Sequence, residues 1–191
     1  APNRFVINIM PDQGPAFRQF LQDKGVGRYD WYPMIRGRLV AVNGKPVSPD
    51  DFTEDRARRL VDREFNISHT ATRPAHNEVV QGRWTPDEAG AISVESGIAD
   101  TLGLKLGDVM QFDMGGVQSE ARITSLRKVD WGSMRVNFFV LFPRAQMADV
   151  PATYISAFRA PPAVAGTPSF DNQLSRDFPN ITSVDVSASI A

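Results

Sequence analysis

The spacing of hydrophobic and polar positions predicts a strand, a helix and a strand at the start of the chain. A β-rich run covers residues 5–9, and the helix that follows places Phe17, Phe20 and Leu21 at positions i, i+3 and i+4. That spacing is typical of an amphipathic helix with one buried face. An extended segment over residues 35–42 then ends at an Asn-Gly turn signal.

The end of the chain repeats this order. A strand is predicted over residues 153–159, and the helix that follows it carries Phe170, Leu174 and Phe178 at i, i+4 and i+8. A last strand over residues 181–186 alternates apolar and polar positions. Two strand–helix–strand units that flank other material predict a split β-α-β arrangement of the ferredoxin-like kind, with its helices on one face of a sheet.

The middle of the chain has a different pattern. Thr53 is predicted to cap a helix that runs to about Arg63, and a short helix over residues 95–102 is predicted to end at Gly103. Short β-rich stretches recur around these helices, at residues 64–69, 78–84, 91–94, 108–113, 117–129 and 134–142. The pattern predicts an α+β fold in which residues 1–43 and 150–191 form one subdomain, and residues 44–149 form an inserted β-rich barrel or sandwich.

Composition excludes several classes of function. Hydrophobic residues make up 42% of the 191 residues, charged residues 23%, and the formal net charge is -1. A protein that binds nucleic acid normally has a basic excess, so no nucleic-acid partner is expected. The chain contains no cysteine, which excludes disulfides, thiolate metal sites and a cysteine nucleophile.

No motif for catalysis or for a cofactor is evident. His69 and His76 are the only histidines, and their spacing does not make a metal-ligand pair, so both are interpreted as surface or turn residues. Phosphate-binding and dinucleotide-binding glycine motifs are absent in the required context. The acidic residues around 50–55 lack EF-hand spacing and suit a helix N-terminus instead. The sequence therefore predicts no catalytic residue, no cofactor and no metal.

Aromatic residues give the one candidate binding site. Trp31, Tyr32 and Met34 fall in or beside a predicted loop at 29–33, where large apolar side chains either pack inward or contact a partner. Both interpretations stay open, and the second makes these three residues a candidate contact for cargo or for a neighbouring subunit. Trp84 and Trp131 border predicted strands and are expected in the core of the β-rich subdomain.

A family resemblance emerges from residue 82 onward. Gly82-Arg83-Trp84, the run Ile92-Ser93-Val94-Glu95, and the glycine-rich segment 102–108 follow one another in a characteristic order. This order resembles the periplasmic core domain of the MacB/FtsX-like permeases of ABC transporters, which include the lipoprotein-releasing permeases. The segments 123–131 and 137–143 resemble one branch in particular, the permeases linked to a lysophospholipase or esterase.

The resemblance implies a fold and a role. It implies a porter-type α+β subdomain with an inserted sabre-type β-rich subdomain, on the periplasmic side of the bacterial inner membrane. It further implies that a cytoplasmic ATPase subunit supplies the energy, and that the domain, which is not an enzyme, couples motion of the membrane helices to export or release of a lipid, lipoprotein or other envelope substrate. A second permease copy and a periplasmic partner are further implied partners.

Two other functions remain open, a secreted hydrolase and a free-standing periplasmic adaptor or binding protein. The longest apolar run, residues 138–142, is far shorter than the ~20 residues of a membrane-spanning helix. We therefore expect this chain to be a piece of a longer membrane protein, held between two membrane helices. In that arrangement the first and last strands lie side by side and antiparallel, with Asn3 close to Val186.

Overall fold

The computed structural model describes residues 1–146 and 150–186. Within these residues the α-helices are α1 (Gly14–Asp23), α2 (Asp55–Asp62), α3 (Ser96–Leu102) and α4 (Phe170–Asp177). The strands are β1 (Arg4–Ile9), β2 (Tyr29–Val42), β3 (Lys45–Pro46), β4 (Phe65–His69), β5 (Asn77–Gly82), β6 (Ala91–Glu95), β7 (Val109–Met114), β8 (Val117–Val129), β9 (Val140–Phe142), β10 (Thr153–Phe158) and β11 (Thr182–Asp185). The predicted α+β class is confirmed.

The chain divides into two compact units. The terminal unit comprises Ala1–Pro33, Trp131–Val136 and Ala152–Ala191, and the barrel unit comprises Met34–Asp130 and Asn137–Pro151. The first division falls inside β2, whereas the predicted boundary at residue 43 lay at the end of that strand. The assignment of the two predicted subdomains, 1–43 with 150–191 and 44–149, to porter and sabre types stays a prediction.

In the terminal unit, four strands lie in the order β11-β1-β10-β2. β1 is antiparallel to both of its neighbours, with Arg4 opposite Asp185 on one side and Phe158 on the other. The amide of Val186 donates a 2.9 Å hydrogen bond to the carbonyl of Asn3. The prediction that the first and last strands are antiparallel neighbours is therefore confirmed.

The core of the terminal unit is aromatic. Phe17 on α1 is fully buried, and its ring meets Phe178 edge to face at a centroid distance of 5.5 Å. Phe20 meets Phe170 at 5.5 Å, and Phe170 in turn meets Phe158 of β10 at 5.7 Å. The i, i+3 and i, i+4 spacing read from the sequence puts these rings on the inner faces of α1 and α4, as predicted.

In the barrel unit, six strands close on themselves. β2 pairs with β4, β4 with β9, β9 with β6, β6 with β8, β8 with β7, and β7 returns to β2. The β4–β9 and β6–β8 pairs are parallel and the other four are antiparallel, so the barrel is mixed. β3 and β5 flank it by pairing with β2 and β8. Of the predicted barrel or sandwich, the structure has the barrel.

Two glycines mark where the barrel backbone is crowded. A Cβ atom on Gly37 would lie 2.5 Å from Cδ1 of Ile67, and a Cβ on Gly82 would lie 2.2 Å from the carbonyl oxygen of Thr124. Gly82 also has a φ of +74°, a conformation that favours glycine. The sequence therefore supplies glycine where a side chain has no space.

Three predicted elements are wrong in detail. Residues 29–33 are the first part of β2 rather than a loop, because β2 pairs with β10. Pro33 is tolerated there because β2 is the last strand in the order of the terminal unit. Thr53 does not cap α2, whose N-cap position is Glu54. The strand predicted over 134–142 covers only Val140–Phe142, since Met134 has a positive φ of 59°.

Trp131 also departs from its predicted place. It lies in a short 3-10 helix of the terminal unit and is 53% exposed, so it does not belong to the core of the β-rich subdomain. Across the described residues, no helix has both the length and the apolar character needed to cross a bilayer.

Candidate partner-contact site

Trp31 lies at the centre of an aromatic cluster in the terminal unit. Its ring stacks on Tyr154 of the neighbouring strand β10, with centroids 4.8 Å apart and planes 10° apart. Phe17 of α1 also stacks on the Trp31 ring, with the two ring centroids 5.9 Å apart. Side chains two residues apart on a strand share a face, so β2 presents Tyr29 beside Trp31 on the side that faces α1.

A glycine lets the helix approach the indole. A Cβ atom on Gly14, the first residue of α1, would lie 3.3 Å from Cζ2 of Trp31. That distance is shorter than an ordinary contact between carbon atoms, which is about 3.5–4.0 Å. The first turn of α1 therefore rests closely on Trp31 because residue 14 has no side chain.

Arg18 covers the cluster with a cation. Its guanidinium carbon lies 5.4 Å from the centre of the Trp31 ring and 5.7 Å from that of Tyr29. Its Nε also donates a 2.9 Å hydrogen bond to the hydroxyl of Tyr29. An arginine within about 6 Å of an aromatic face is attracted to it by about 0.5–1 kcal/mol at an exposed site.

These side chains line a groove of about 440 Å³, which we call the aromatic groove, and which includes Pro11, Pro15, Arg18, Tyr29, Trp31 and Tyr154. All of them belong to the terminal unit. Trp31 and Tyr154 are only partly buried, so the groove offers apolar surface to a ligand. Aromatic and arginine side chains are the usual anchors of protein interfaces.

Tyr32 lies on the opposite face of β2, among polar groups. The neighbouring Asp30 is 6% exposed, accepts a 2.7 Å hydrogen bond from Nη2 of Arg135, and accepts a second at 2.9 Å from the amide of Val136. Burial raises the pKa of Tyr32, and the Asp30 carboxylate raises it further. Bonding to the same carboxylate raises the pKa of Arg135. Asp30 thus fastens residues 135–136 within the terminal unit.

Met34 does not line the aromatic groove. It belongs to the barrel unit and is only 6% exposed. The structure therefore brings Trp31 into a groove, and places Tyr32 and Met34 elsewhere. The role of the three residues as a contact for a partner stays a prediction.

A buried arginine that no sequence motif indicates lies inside the barrel unit. Arg127 on β8 is fully buried, and its Nε donates a 2.8 Å hydrogen bond to Oγ of Ser93. Its Nη1 donates to Oδ1 of Asn77, and its Nη2 donates to the carbonyls of Phe138 and Phe139 at 3.0 and 3.1 Å. The arrangement accounts for a guanidinium held in an apolar interior.

Burial sets the protonation behaviour of Arg127. Desolvation lowers its pKa to about 9, while the nearby charge of Glu95 acts in the opposite direction. The guanidinium therefore stays charged near neutral pH. Glu95 is itself engaged, because its carboxylate accepts hydrogen bonds from the amides of Gly97 and Ile98 and caps α3.

The Arg127 cluster also explains why the predicted strand over 134–142 is short. The carbonyl of Phe138 accepts from Arg127, and that of Phe139 accepts from both Arg127 and the amide of Glu95. The alternation of β8 carried a signal for this cluster, since Ile123, Ser125, Arg127 and Val129 all point inward. No motif identifies such a cluster, because its residues have no fixed spacing in sequence.

Comparison with known proteins shows that the chain is similar to part of a permease. No protein-family model matches the chain. The uncharacterized ABC transporter permease YbbP of Escherichia coli (strain K12) is 38% identical over 189 residues, which are 98% of this chain and 22% of that protein. The chain is homologous to a domain of an ABC transporter permease. It thus spans about a fifth of the length of the curated relative that it matches.

One solved structure is also similar to this chain. A domain of a putative permease protein from Porphyromonas gingivalis aligns with a TM-score of 0.45 and 11% sequence identity, and the alignment covers 95% of this chain and 88% of that one. The predicted resemblance to permeases of ABC transporters is confirmed by the first relative. Among the described residues, no group of three or more histidine, aspartate or glutamate side chains is arranged to hold a metal ion.

Proposed function

We propose that this chain is the extracytoplasmic domain of an ABC transporter permease of the MacB/FtsX-like class, on the periplasmic side of the inner membrane. The observation that carries the proposal is the 38% identity to an ABC transporter permease along 98% of the chain. In this role the domain couples movement of the membrane helices to export or release of a lipid, lipoprotein or other envelope substrate.

The architecture supports the division into a porter-type and a sabre-type part. The order β11-β1-β10-β2, with α1 between β1 and β2 and α4 between β10 and β11, is that of a split β-α-β sheet of the ferredoxin-like kind. The closed barrel interrupts this sheet in sequence. The hydrogen bond between Val186 and Asn3 brings the two described ends to one edge, which suits a domain held between two membrane helices.

In the proposed mechanism the domain performs no chemistry. A cytoplasmic ATPase subunit hydrolyses ATP, and the membrane helices pass the resulting movement to the domain as a shift between two states. A second permease copy and a periplasmic partner complete the transporter. The aromatic groove around Trp31 is the proposed contact for cargo or for one of these neighbours, because it combines exposed ring surface with the Arg18 cation.

The location can be tested through the absence of cysteine from this chain. Val164 is 66% exposed, so Val164→Cys in the full-length permease, freed of other cysteines, gives a single reactive thiol. A membrane-impermeant maleimide should label it in intact spheroplasts. Val94→Cys is the matched control, since Val94 is fully buried and should react only after denaturation. Labelling of the Val164→Cys variant only after lysis would contradict the proposal.

The contact can be tested by site-specific photo-crosslinking in the assembled transporter. A benzoylphenylalanine in place of Trp31 should give an adduct with transporter cargo or with a neighbouring subunit, identified by mass spectrometry. The same replacement at Trp131, an exposed tryptophan outside the groove, should give none. Equal crosslinking yields at both positions, or no adduct at residue 31, would contradict the role of the aromatic groove as a contact. Either result would not affect the test of location.

A further inference from the structure

One groove of the barrel unit is lined by charged residues that the transport proposal does not use. It has a volume of about 830 Å³, and three arginines, Arg36, Arg38 and Arg63, contribute to its lining. Three carboxylates, those of Asp62, Glu64 and Asp113, share that lining. All of these residues lie in the barrel unit. We call this feature the arginine groove.

The pleat of β2 forms the floor of the arginine groove. Ile35, Gly37 and Leu39 point inward and are buried, so Arg36 and Arg38 point outward on the same face. Two residues along a strand separate their Cα atoms by about 7 Å. Arg63 comes from the C-terminal end of α2, and the β7–β8 turn at Gly115 and Gly116 forms another wall.

The three guanidinium groups are unpaired despite the carboxylates nearby. Among the described residues, none of these arginines forms an ion pair within 4.0 Å or donates a hydrogen bond. Asp113, which lies opposite Arg38 in the strand register, instead accepts a 2.8 Å hydrogen bond from the amide of Gly116. The donors of a concave surface are therefore available to a ligand.

We propose that the arginine groove binds a phosphate group, either as a free phosphate or on a lipid headgroup. A guanidinium matches phosphate oxygens with two parallel hydrogen bonds, and a phosphate monoester has a second pKa of about 6, so it is largely a dianion above neutral pH. Three guanidiniums suit such a dianion better than they suit the single charge of a carboxylate ligand. Three carboxylates balance the charge of the three arginines, so the groove has no net charge. The groove therefore attracts phosphate through direct hydrogen bonds rather than through a long-range electrostatic field.

This inference does not rest on the proposed transport function. Its test is a titration of the 191-residue chain with inorganic phosphate, followed by heteronuclear NMR at low ionic strength. The double substitution Arg36→Gln, Arg38→Gln should lower the affinity at least about tenfold, since it removes two of the three guanidinium groups that can donate charge-assisted hydrogen bonds. The matched control Arg56→Gln, an exposed arginine of α2 outside the groove, should leave the affinity within about twofold.

Two further measurements sharpen the test. Asp62→Asn with Glu64→Gln removes negative charge from the groove and should raise phosphate affinity about two- to fivefold, a gain that loss of folding cannot imitate. Flotation with vesicles of phosphatidylcholine that contain phosphatidic acid distinguishes the sources. Binding to these vesicles, and not to phosphatidylcholine alone, assigns the groove to a lipid phosphate, whereas binding of inorganic phosphate alone assigns it to a free phosphate.

The outcomes that overturn the proposal are specific. Absence of binding in both the phosphate and the vesicle experiments would overturn it. So would binding that the Arg36→Gln, Arg38→Gln variant retains while its circular dichroism spectrum matches that of the parent chain. Neither result bears on the thiol-labelling test of location, so the two proposals fail separately.

Discussion

The two units of this chain have interiors of different composition. The terminal unit covers one sheet with two helices and fills the space between them with large rings such as Phe17, Phe20 and Phe178. The barrel unit closes a sheet on itself. Of the ten buried polar or charged residues in the described part of the chain, eight lie in the barrel unit, among them Arg127 and Glu95.

The difference follows from geometry. A helix laid on a sheet leaves a wide gap that aromatic side chains fill, and edge-to-face ring pairs add about 0.5–1.5 kcal/mol each beyond burial. A small mixed barrel instead has irregular connections that bring backbone carbonyls inside, and these need donors. Arg127 supplies several donors at once to the carbonyls before β9. The terminal unit is thus stabilised by packing of aromatic rings. The barrel unit is stabilised by apolar packing and also by the polar cluster around Arg127.

The largest expected effect tests the aromatic core. Phe17→Ala removes a fully buried ring that contacts Trp31 and Phe178, so the free energy of unfolding should fall by about 4 kcal/mol. Chemical denaturation with hydrogen exchange measures the loss and locates it. The amides of β1 and β10 should lose protection before those of β6 and β8. Equal loss in both units would show that they unfold together and would blur the comparison.

The next effect tests the polar cluster. Arg127→Met keeps most of the side-chain volume but removes the hydrogen bonds that Arg127 donates to Asn77, Ser93 and two carbonyls, so stability should fall by about 3 kcal/mol. Hydrogen exchange measures this loss as lower protection of the amides in β9 and β6. Lys128→Met, on the exposed face of the same strand, is the control and should change stability by less than about 0.5 kcal/mol. An unchanged midpoint for Arg127→Met would mean that the barrel does not need its buried charge.

A third prediction concerns backbone crowding in the barrel. Gly82→Ala combines a positive φ with a Cβ position 2.2 Å from a backbone oxygen, so a loss of about 2–3 kcal/mol is expected. Gly107→Ala is the matched control, because its φ is +89° and nothing lies within 4 Å of the added Cβ. Its cost should be about 1 kcal/mol, as for conformational strain alone. Similar losses for both variants in thermal unfolding would contradict the crowding argument.

The smallest effect is a pH dependence in the barrel unit. Burial lowers the pKa of His69 on β4 below its usual 6.5. As the pH falls below about 6.5, the unfolded chain takes up a proton before the folded one, so the free energy of unfolding falls, by less than about 1 kcal/mol because solvent screens the partly exposed ring. Above that pH His69 is neutral in both the folded and the unfolded chain, so its contribution to the free energy of unfolding is constant. His69→Gln should make the denaturation midpoint nearly independent of pH between about pH 7 and 5.5, and an unchanged slope would contradict the prediction.

The sequence by itself determined the elements whose cause is local. The repeated strand–helix–strand order and the left-handed Gly103 after α3 follow from spacing and from single residues, and the structure has both. The antiparallel pairing of the first and last strands was also predictable, because the order of elements leaves few topologies for a split sheet.

Tertiary structure decided what depends on partners far apart in the chain. Residues 29–33 form a strand because β10 pairs with them. The residues before β9 instead present the carbonyls of Phe138 and Phe139 to the side chain of Arg127. The aromatic groove joins Arg18 and Trp31 to Tyr154, which is distant from both in sequence. No periodicity encodes such contacts, since they depend on which surfaces meet after the chain has folded.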